Sequence, residues 1–228
     1  MPEWVRIRRP IGAAELEALS AGVLESPLVS RSTLAGSFRG SRGFAITFTL
    51  PGRDALERRY PFLSPFLALA LSERAHRALE PWLARRRARP ISRPRNAFCL
   101  NVLLVAGGGS IGRHTDATLR GPSGEAEAVP EQVTVLYLHA PERFSGGELN
   151  LYRGERGVAR IRPEPGDAIH FRGDLQHEVA ALDAPEGALR ASLVLEQYHL
   201  RPEALARLPE LNVQSKAGFE AYLEDRRR

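Results

Sequence analysis

Six histidines punctuate the 228-residue chain: His76, His114, His139, His170, His177 and His199. One of them, His114, is followed two residues later by Asp116. In an extended strand, positions i and i+2 point to the same face. The pair therefore presents an imidazole and a carboxylate side by side. That is two thirds of the facial triad that holds non-haem Fe(II) and keeps coordination positions open. A second histidine from a distant strand has to complete it, because H-x-D alone is a common pattern. His177 heads an apolar stretch in QHEV, and Arg190 follows thirteen residues later in RASLVLEQY. An arginine on the strand after His177 would reach the same interior, where its planar guanidinium suits two-pronged pairing with a carboxylate. The other histidines lack partners in the sequence and read as structural. Gly107-Gly108-Gly109 is followed by no Gly-Lys-Ser/Thr and reads as a turn, not a phosphate cradle. Cys99 has no charged neighbour to activate it and reads as buried.

These residues need a scaffold, and the hydrophobic pattern supplies one. Residues 44–50 (FAITFTL) alternate strictly, which predicts a half-buried strand. After Phe98, short apolar runs follow one another at 98–105, 133–138, 147–152, 158–162, 168–171, 177–182 and 190–198. Glycine- and proline-rich punctuation separates them. Many short strands without interposed helices predict a barrel or double-sheet jelly roll, not a parallel α/β sheet. Around this core the spacing predicts a helix over 13–24 and another over 65–80, the latter opened by Ser64-Pro65. The tail from Pro202 returns to a helical pattern. The expected fold class is mainly β with flanking helices (α+β), in a single domain over 1–228. Residues 1–97 would supply helices and supporting strands, 98–200 the β core and 201–228 a helical tail.

Composition narrows the function. Hydrophobic content of 43% and charged content of 26% are ordinary for a globular chain. One cysteine excludes an intramolecular disulfide framework and a four-thiolate zinc site. The longest apolar stretch is too short to span a bilayer, and MPEWVRIRRP lacks the apolar run of a secretory signal. A cytoplasmic protein with no membrane partner is the expectation. The net charge of +5 and a pI near 10.0 are compatible with a nucleic-acid partner. Lys216 is the only lysine, however, so the arginine excess reads as compositional bias and weakens that inference. Arg85, Arg86, Arg87, Arg89, Arg93 and Arg95 crowd one acid-free stretch. It reads first as a solvated surface and second as an anion-contacting one.

The ordered set of motifs resembles the Fe(II)- and 2-oxoglutarate-dependent dioxygenases, in their prolyl-4-hydroxylase-like branch. It runs H-T-D (114–116), T-V-L-Y-L (134–138), S-G-G-E-L (145–149), P-G-D-A-I-H-F (165–171), H-E-V (177–179) and R-A-S (190–192). The resemblance covers about 100 to 200 and implies a double-stranded β-helix (jelly roll) catalytic core. It implies iron bound by His114, Asp116 and His177 as the catalytic and metal residues. Arg190 would pair with the distal carboxylate of 2-oxoglutarate, and Tyr137 would hydrogen-bond it. Leu149, Val179 and Ser192 would complete the cosubstrate site. The cofactors implied are Fe(II), 2-oxoglutarate and O2, with ascorbate as a candidate reductant. The implied reaction hydroxylates an unactivated C–H bond of an amino acid, a peptide or protein residue, or a peptide-like metabolite, releasing succinate and CO2. A carboxylate at Asp116 favours oxygen over halide transfer, since halogenating relatives carry a small residue there.

The chain also departs from the family pattern. Leu104 stands where members often carry a tyrosine, the His177–Arg190 interval is lengthened through APEGA, and Glu196 replaces a common aromatic residue. A nucleic-acid demethylase of the same superfamily is an alternative, but its branch carries a second arginine where Glu196 stands. A non-enzymatic jelly-roll binding module is the other. On a regular strand Glu196 shares a face with Arg190, Ser192 and Val194 and points inward. A buried carboxylate needs a partner. Arg113 or Arg120 could serve, or a donor group on a substrate, which makes Glu196 and Arg120 candidate substrate contacts.

Overall fold

The computed structural model describes residues 2–29, 41–80, 94–119 and 128–216. Two antiparallel sheets face each other. The larger draws on β1 (Trp4–Ile7), β2 (Ser41–Thr49), β3 (Ala97–Ala106), β5 (Gln132–His139), β9 (Ala168–Arg172), β12 (Leu189–Tyr198) and β13 (Leu211–Ser215). Its strand order is β1-β9-β5-β12-β3-β2-β13. The smaller is built from β4 (Ile111–His114), β7 (Leu149–Arg153), β8 (Arg156–Ile161) and β10 (Gln176–Val179), in the order β4-β10-β7-β8. A short ribbon pairs β6 (Ser145–Gly146) with β11 (Leu182–Asp183). This is the jelly roll that the run of short strands predicted.

The large sheet is covered on both sides. On its outer face Ile46, Phe48, Leu100, Val102, Leu193 and Leu195 pack with Leu19, Val23, Leu63 and Phe66. The latter residues belong to the helical layer: α1 (Ala13–Leu24), a 3-10 turn (Pro61–Leu63) and α3 (Ser64–Ala70). On its inner face Val133, Val135, Tyr137, Ile169 and Phe171 meet Leu149, Leu151 and Ile161 of the small sheet. Strand β5 is therefore buried along nearly its whole length, and its continuous apolar run follows from being sandwiched.

Three elements differ from the expectation. The helix predicted over 65–80 is two short ones, α3 and α4 (Glu73–His76). Ser72 leaves the helical region at φ −63° and ψ 153°, and its hydroxyl accepts the Ala75 amide. A serine that can cap a new helix competes with continuing the old one. Of the predicted helical tail, residues 217–228 lie outside the described residues, and 201–216 hold a single turn, α5 (Pro202–Leu205), followed by strand β13 paired with β2. LNVQS has the two-residue alternation that places Leu211 and Val213 against the core while covering the β2 edge. At the other edge β1 pairs with β9, with Trp4 opposite Phe171. Helix α2 (Arg53–Arg59) completes the outer layer. Among the described residues no helix is long and apolar enough to cross a membrane.

Candidate active site

His177 and His114 are cross-strand neighbours in the β10–β4 pair. Directly opposed residues project to one face, so the two imidazoles meet with ring centroids 4.4 Å apart. Strand β4 ends at His114, so Asp116 is not delivered by a regular strand as i and i+2 reasoning supposed. The chain nevertheless returns its carboxylate to the same point. Asp116 Oδ1 lies 3.4 Å from His114 Nε2 and Oδ2 lies 3.5 Å from His177 Nε2. One donor atom from each residue falls within 4.8 Å of the others.

The second nitrogen of each ring decides its tautomer. His114 Nδ1 faces the Gly112 carbonyl at 2.7 Å, and His177 Nδ1 faces the Leu175 carbonyl at 3.3 Å. A carbonyl only accepts, so each Nδ1 carries the proton and each Nε2 keeps a lone pair for a metal. Burial works against a charged His114, but the Asp116 carboxylate and the Gly112 carbonyl outweigh it and raise its pKa. His177 is lowered, chiefly by burial and further by His114, against the pull of Asp116. Burial pushes the Asp116 carboxyl up, yet the two histidines hold it below its ordinary range. Asp116 Oδ2 is buried with no hydrogen-bond partner among the described residues. A metal ion would satisfy it, and two imidazoles with one carboxylate are a donor set that fits Fe(II).

The triad opens on a small cavity. Leu149, Val179, Arg190 and Ser192, the residues that the resemblance assigns to the cosubstrate, line it together with Asn101, Leu103, Val135, Phe171 and Val194. Arg190 is 1% exposed, and its Nε and Nη1 have no hydrogen-bond partner. A buried guanidinium without an anion is costly, and the cavity before it has room for one. Its central carbon sits 5.0 Å from the Tyr137 ring centroid. Tyr137 lies beside the cavity, fully buried, its hydroxyl also without a partner. Burial raises its pKa, against the charge of Arg190.

Local sequence explains how these side chains are held. The PGD turn locks Tyr137 from both directions: Gly166 N donates to the Tyr137 carbonyl and Tyr137 N to the Asp167 carbonyl, at 2.8 and 3.1 Å. Asp167 accepts from Arg6 Nε at 2.6 Å, which ties β1 to the same turn. In the SGG turn, Gly146 has φ +70° and a Cβ there would stand 1.9 Å from the Ala181 carbonyl oxygen. Only glycine accepts that conformation and that approach.

The residues that sequence reasoning missed share its own parity rule. Val194 follows Arg190 and Ser192 on the inward face of β12, and Asn101 lies opposite Val194 on β3. Asn101 is the one polar residue in FCLNVLLV, which was the available signal. Leu104, read as the counterpart of a family tyrosine, points instead to the helical layer, and Leu103 is the cavity residue. Phe171 stacks edge-on to His177, with centroids 5.1 Å apart.

Glu196 is buried in the interior, as expected, and its partners among the described residues do not include Arg113. It accepts from Asn101 Nδ2 at 2.7 Å, from Thr118 Oγ1 at 2.8 Å and from the Tyr198 hydroxyl. Burial, and then the charge of Asp116, push it up to about 8, against those three hydrogen bonds. Arg113 is engaged elsewhere. Its guanidinium stacks over Tyr152 at 4.2 Å and donates to Gln176 at 2.8 Å, on the outer face of the small sheet. Arg120 lies outside the described residues, as do Arg85, Arg86, Arg87, Arg89 and Arg93. Arg95 is 8% exposed and donates to Gln132 at 3.0 Å, so it belongs to the interior and not to a charged surface.

A jelly roll with a two-histidine, one-carboxylate cluster and a buried arginine defines a class of oxygenase scaffold. Residues 100–195 match the family model described as the 2OG-Fe(II) oxygenase superfamily. The chain is similar in structure to a 2OG-Fe(II) oxygenase family oxidoreductase from Burkholderia pseudomallei, with 18% identity, 87% of this chain and 86% of that chain covered, and a TM-score of 0.56. It is similar to a prolyl hydroxylase from Trichoplax adhaerens in complex with a hypoxia inducible factor peptide fragment, with 20% identity, coverage of 90% and 86%, and a TM-score of 0.55. A Pseudomonas putida prolyl-4-hydroxylase aligns with 19% identity, coverage of 87% and 94%, and a TM-score of 0.52. No curated protein matches in sequence. Residues 100–195 thus match a domain family of dioxygenases that use Fe(II), 2-oxoglutarate and O2, and the His114–Asp116–His177 cluster fits that iron.

Proposed function

We propose that this dioxygenase hydroxylates an unactivated C–H bond of an amino acid, a peptide or protein residue, or a peptide-like metabolite. One observation carries the site assignment: a single cavity joins the His114–Asp116–His177 cluster to a buried arginine that has no anion. His114 Nε2, His177 Nε2 and a carboxylate oxygen of Asp116 would hold Fe(II). Bound there with 2-oxoglutarate and O2, iron supplies oxidative chemistry that inserts oxygen into a C–H bond and yields succinate and CO2.

The chain's own residues do the rest. Gly112 and Leu175 fix the tautomers, so neither histidine needs to lose a proton from Nε2 to bind metal. Arg190 receives the distal carboxylate of 2-oxoglutarate, and the Tyr137 hydroxyl donates to the same group. Ser192 adds a hydroxyl on the same face of β12. Leu149, Val179 and Phe171 exclude water from the space between, which strengthens the Arg190 ion pair by lowering the local dielectric. The peptide bound to the Trichoplax adhaerens enzyme supports a peptide-like substrate for this scaffold.

Succinate release tests this reading. The full chain, supplied with Fe(II), 2-oxoglutarate and ascorbate, is incubated with a panel of free amino acids and proline-containing peptides. The expected result is substrate-stimulated succinate formation with a product heavier by one oxygen atom. Absence of 2-oxoglutarate turnover, with or without substrate, would overturn it.

A further inference from the structure

We propose that Glu196 is a positioning residue for the segment that carries Asp116. This rests on the reading that His114, Asp116 and His177 hold iron. Asp116 lies beyond the end of β4, where no ladder of backbone hydrogen bonds fixes it. Among the described residues its carboxylate is paired with the two histidines it would share the metal with. Its placement must therefore come from the residues around it. Two residues on, Thr118 is held twice. Its hydroxyl donates to Glu196 at 2.8 Å, and its backbone N–H donates to the Tyr198 hydroxyl at 3.2 Å. Tyr198 in turn donates to the other oxygen of Glu196. Asn101 on β3 donates to the first oxygen at 2.7 Å.

Glu196 is 0% exposed, and the donors it meets among the described residues are all neutral. A carboxylate in such a place is expensive to bury, and packing alone would be served better by an apolar side chain. What a carboxylate offers is two acceptor oxygens at one point. Here they gather donors from β3, from β12 and from the ligand-bearing segment. Strand β12 also carries Arg190, so the knot holds the metal segment to the strand that would take the cosubstrate.

The test is metal affinity in the chelator-treated full chain, titrated with Mn(II) alone. Thr118→Val removes one hydroxyl at nearly constant volume. It should weaken Mn(II) binding roughly tenfold, the scale seen when groups behind a metal ligand are removed. Glu196→Gln should weaken it at least as much, because a carboxamide offers Tyr198 a donor in place of an acceptor. In turnover, both variants should raise the KM for Fe(II) while leaving kcat at saturating Fe(II) within about twofold of wild type. Thr118→Ser keeps the hydroxyl and should restore wild-type Mn(II) binding. Thermal melting follows each variant. A lowered midpoint with unchanged Mn(II) affinity in Thr118→Val and Glu196→Gln makes the knot merely structural and overturns the proposal. If the wild-type chain itself binds no Mn(II), the iron-site reading fails first, and this one with it.

Discussion

Arg190 is a cation stored in the interior with its hydrogen-bonding edge unused. Such a residue is stable only if the rest of the molecule carries the cost, and that is the usual mark of a site built for a ligand. Removing it should therefore affect binding more than folding. Arg190→Ala is expected to weaken 2-oxoglutarate binding by about 2–5 kcal/mol, the range for deleting one partner of a buried charge pair. Mn(II) affinity should stay at the wild-type level, because Arg190 makes no contact with the triad donors. Arg190→Lys should recover only part of the loss, since an ammonium is a point charge without the planar fork. Calorimetry of 2-oxoglutarate binding to the Mn(II)-loaded variants measures both effects. Unaltered affinity in Arg190→Ala would show that another group holds the carboxylate.

At the level of elements, β12 shows what sequence can and cannot reveal. Its odd positions, Ala191, Leu193 and Leu195, face the helical layer; of its even ones, Arg190, Ser192 and Val194 line the cavity and Glu196 is buried beyond them. Alternation is a local property, so the strand, its inward face and the burial of Glu196 were all legible. The partners of Glu196 were not. Asn101, Thr118 and Tyr198 reach it by strand pairing and by the path of the segment after β4, neither of which leaves a periodic trace. The break at Ser72 and the strand at Leu211–Ser215 were missed for the same reason: both depend on what the rest of the molecule offers as a partner.

Strand β9, separated from β12 by β5, carries a further consequence. His170 on β9 faces outward, 2.9 Å from the Thr134 hydroxyl, while Gln197 donates to Thr134 and Gln132 donates to the Ala75 carbonyl. The network docks α4 on the sheet. Burial, with help from the Arg95 charge, lowers His170 to about 4. The folded protein then binds fewer protons there than the unfolded chain between that value and the ordinary histidine range. Stability from this residue is complete above the unfolded pKa and is lost as pH falls toward the folded one. From about pH 7.5 to about pH 5 the loss should be on the order of 2 kcal/mol. Urea melts of wild type and His170→Gln at the two pH values check it. The variant should be less stable at neutral pH but show a smaller drop on acidification, and an equal drop in both would assign the pH dependence to other groups.

Across the whole molecule, the candidate site is a joint between two sheets. His114 and His177 come from β4 and β10 of the small sheet, whereas Arg190 and Tyr137 come from β12 and β5 of the large one. A metal held by the first group and a dicarboxylate bridging to the second would bind only when both sheets are assembled. A ligand that binds the folded chain alone stabilises it by about 2.7 kcal/mol at a hundred times its dissociation constant. For a chain of this size, each kcal/mol raises the melting midpoint by about 2–4 °C. Mn(II) and 2-oxoglutarate together should thus raise the midpoint by roughly 5–10 °C or more, and a chelator should reverse the gain. The two contributions separate by variant. Arg190→Ala should keep the rise caused by Mn(II) and lose the further rise caused by 2-oxoglutarate. His177→Ala should lose both, because a cosubstrate that spans the sheets needs the metal as well as the arginine. A 2-oxoglutarate shift that survives in His177→Ala would place the cosubstrate on the large sheet alone and remove the joint.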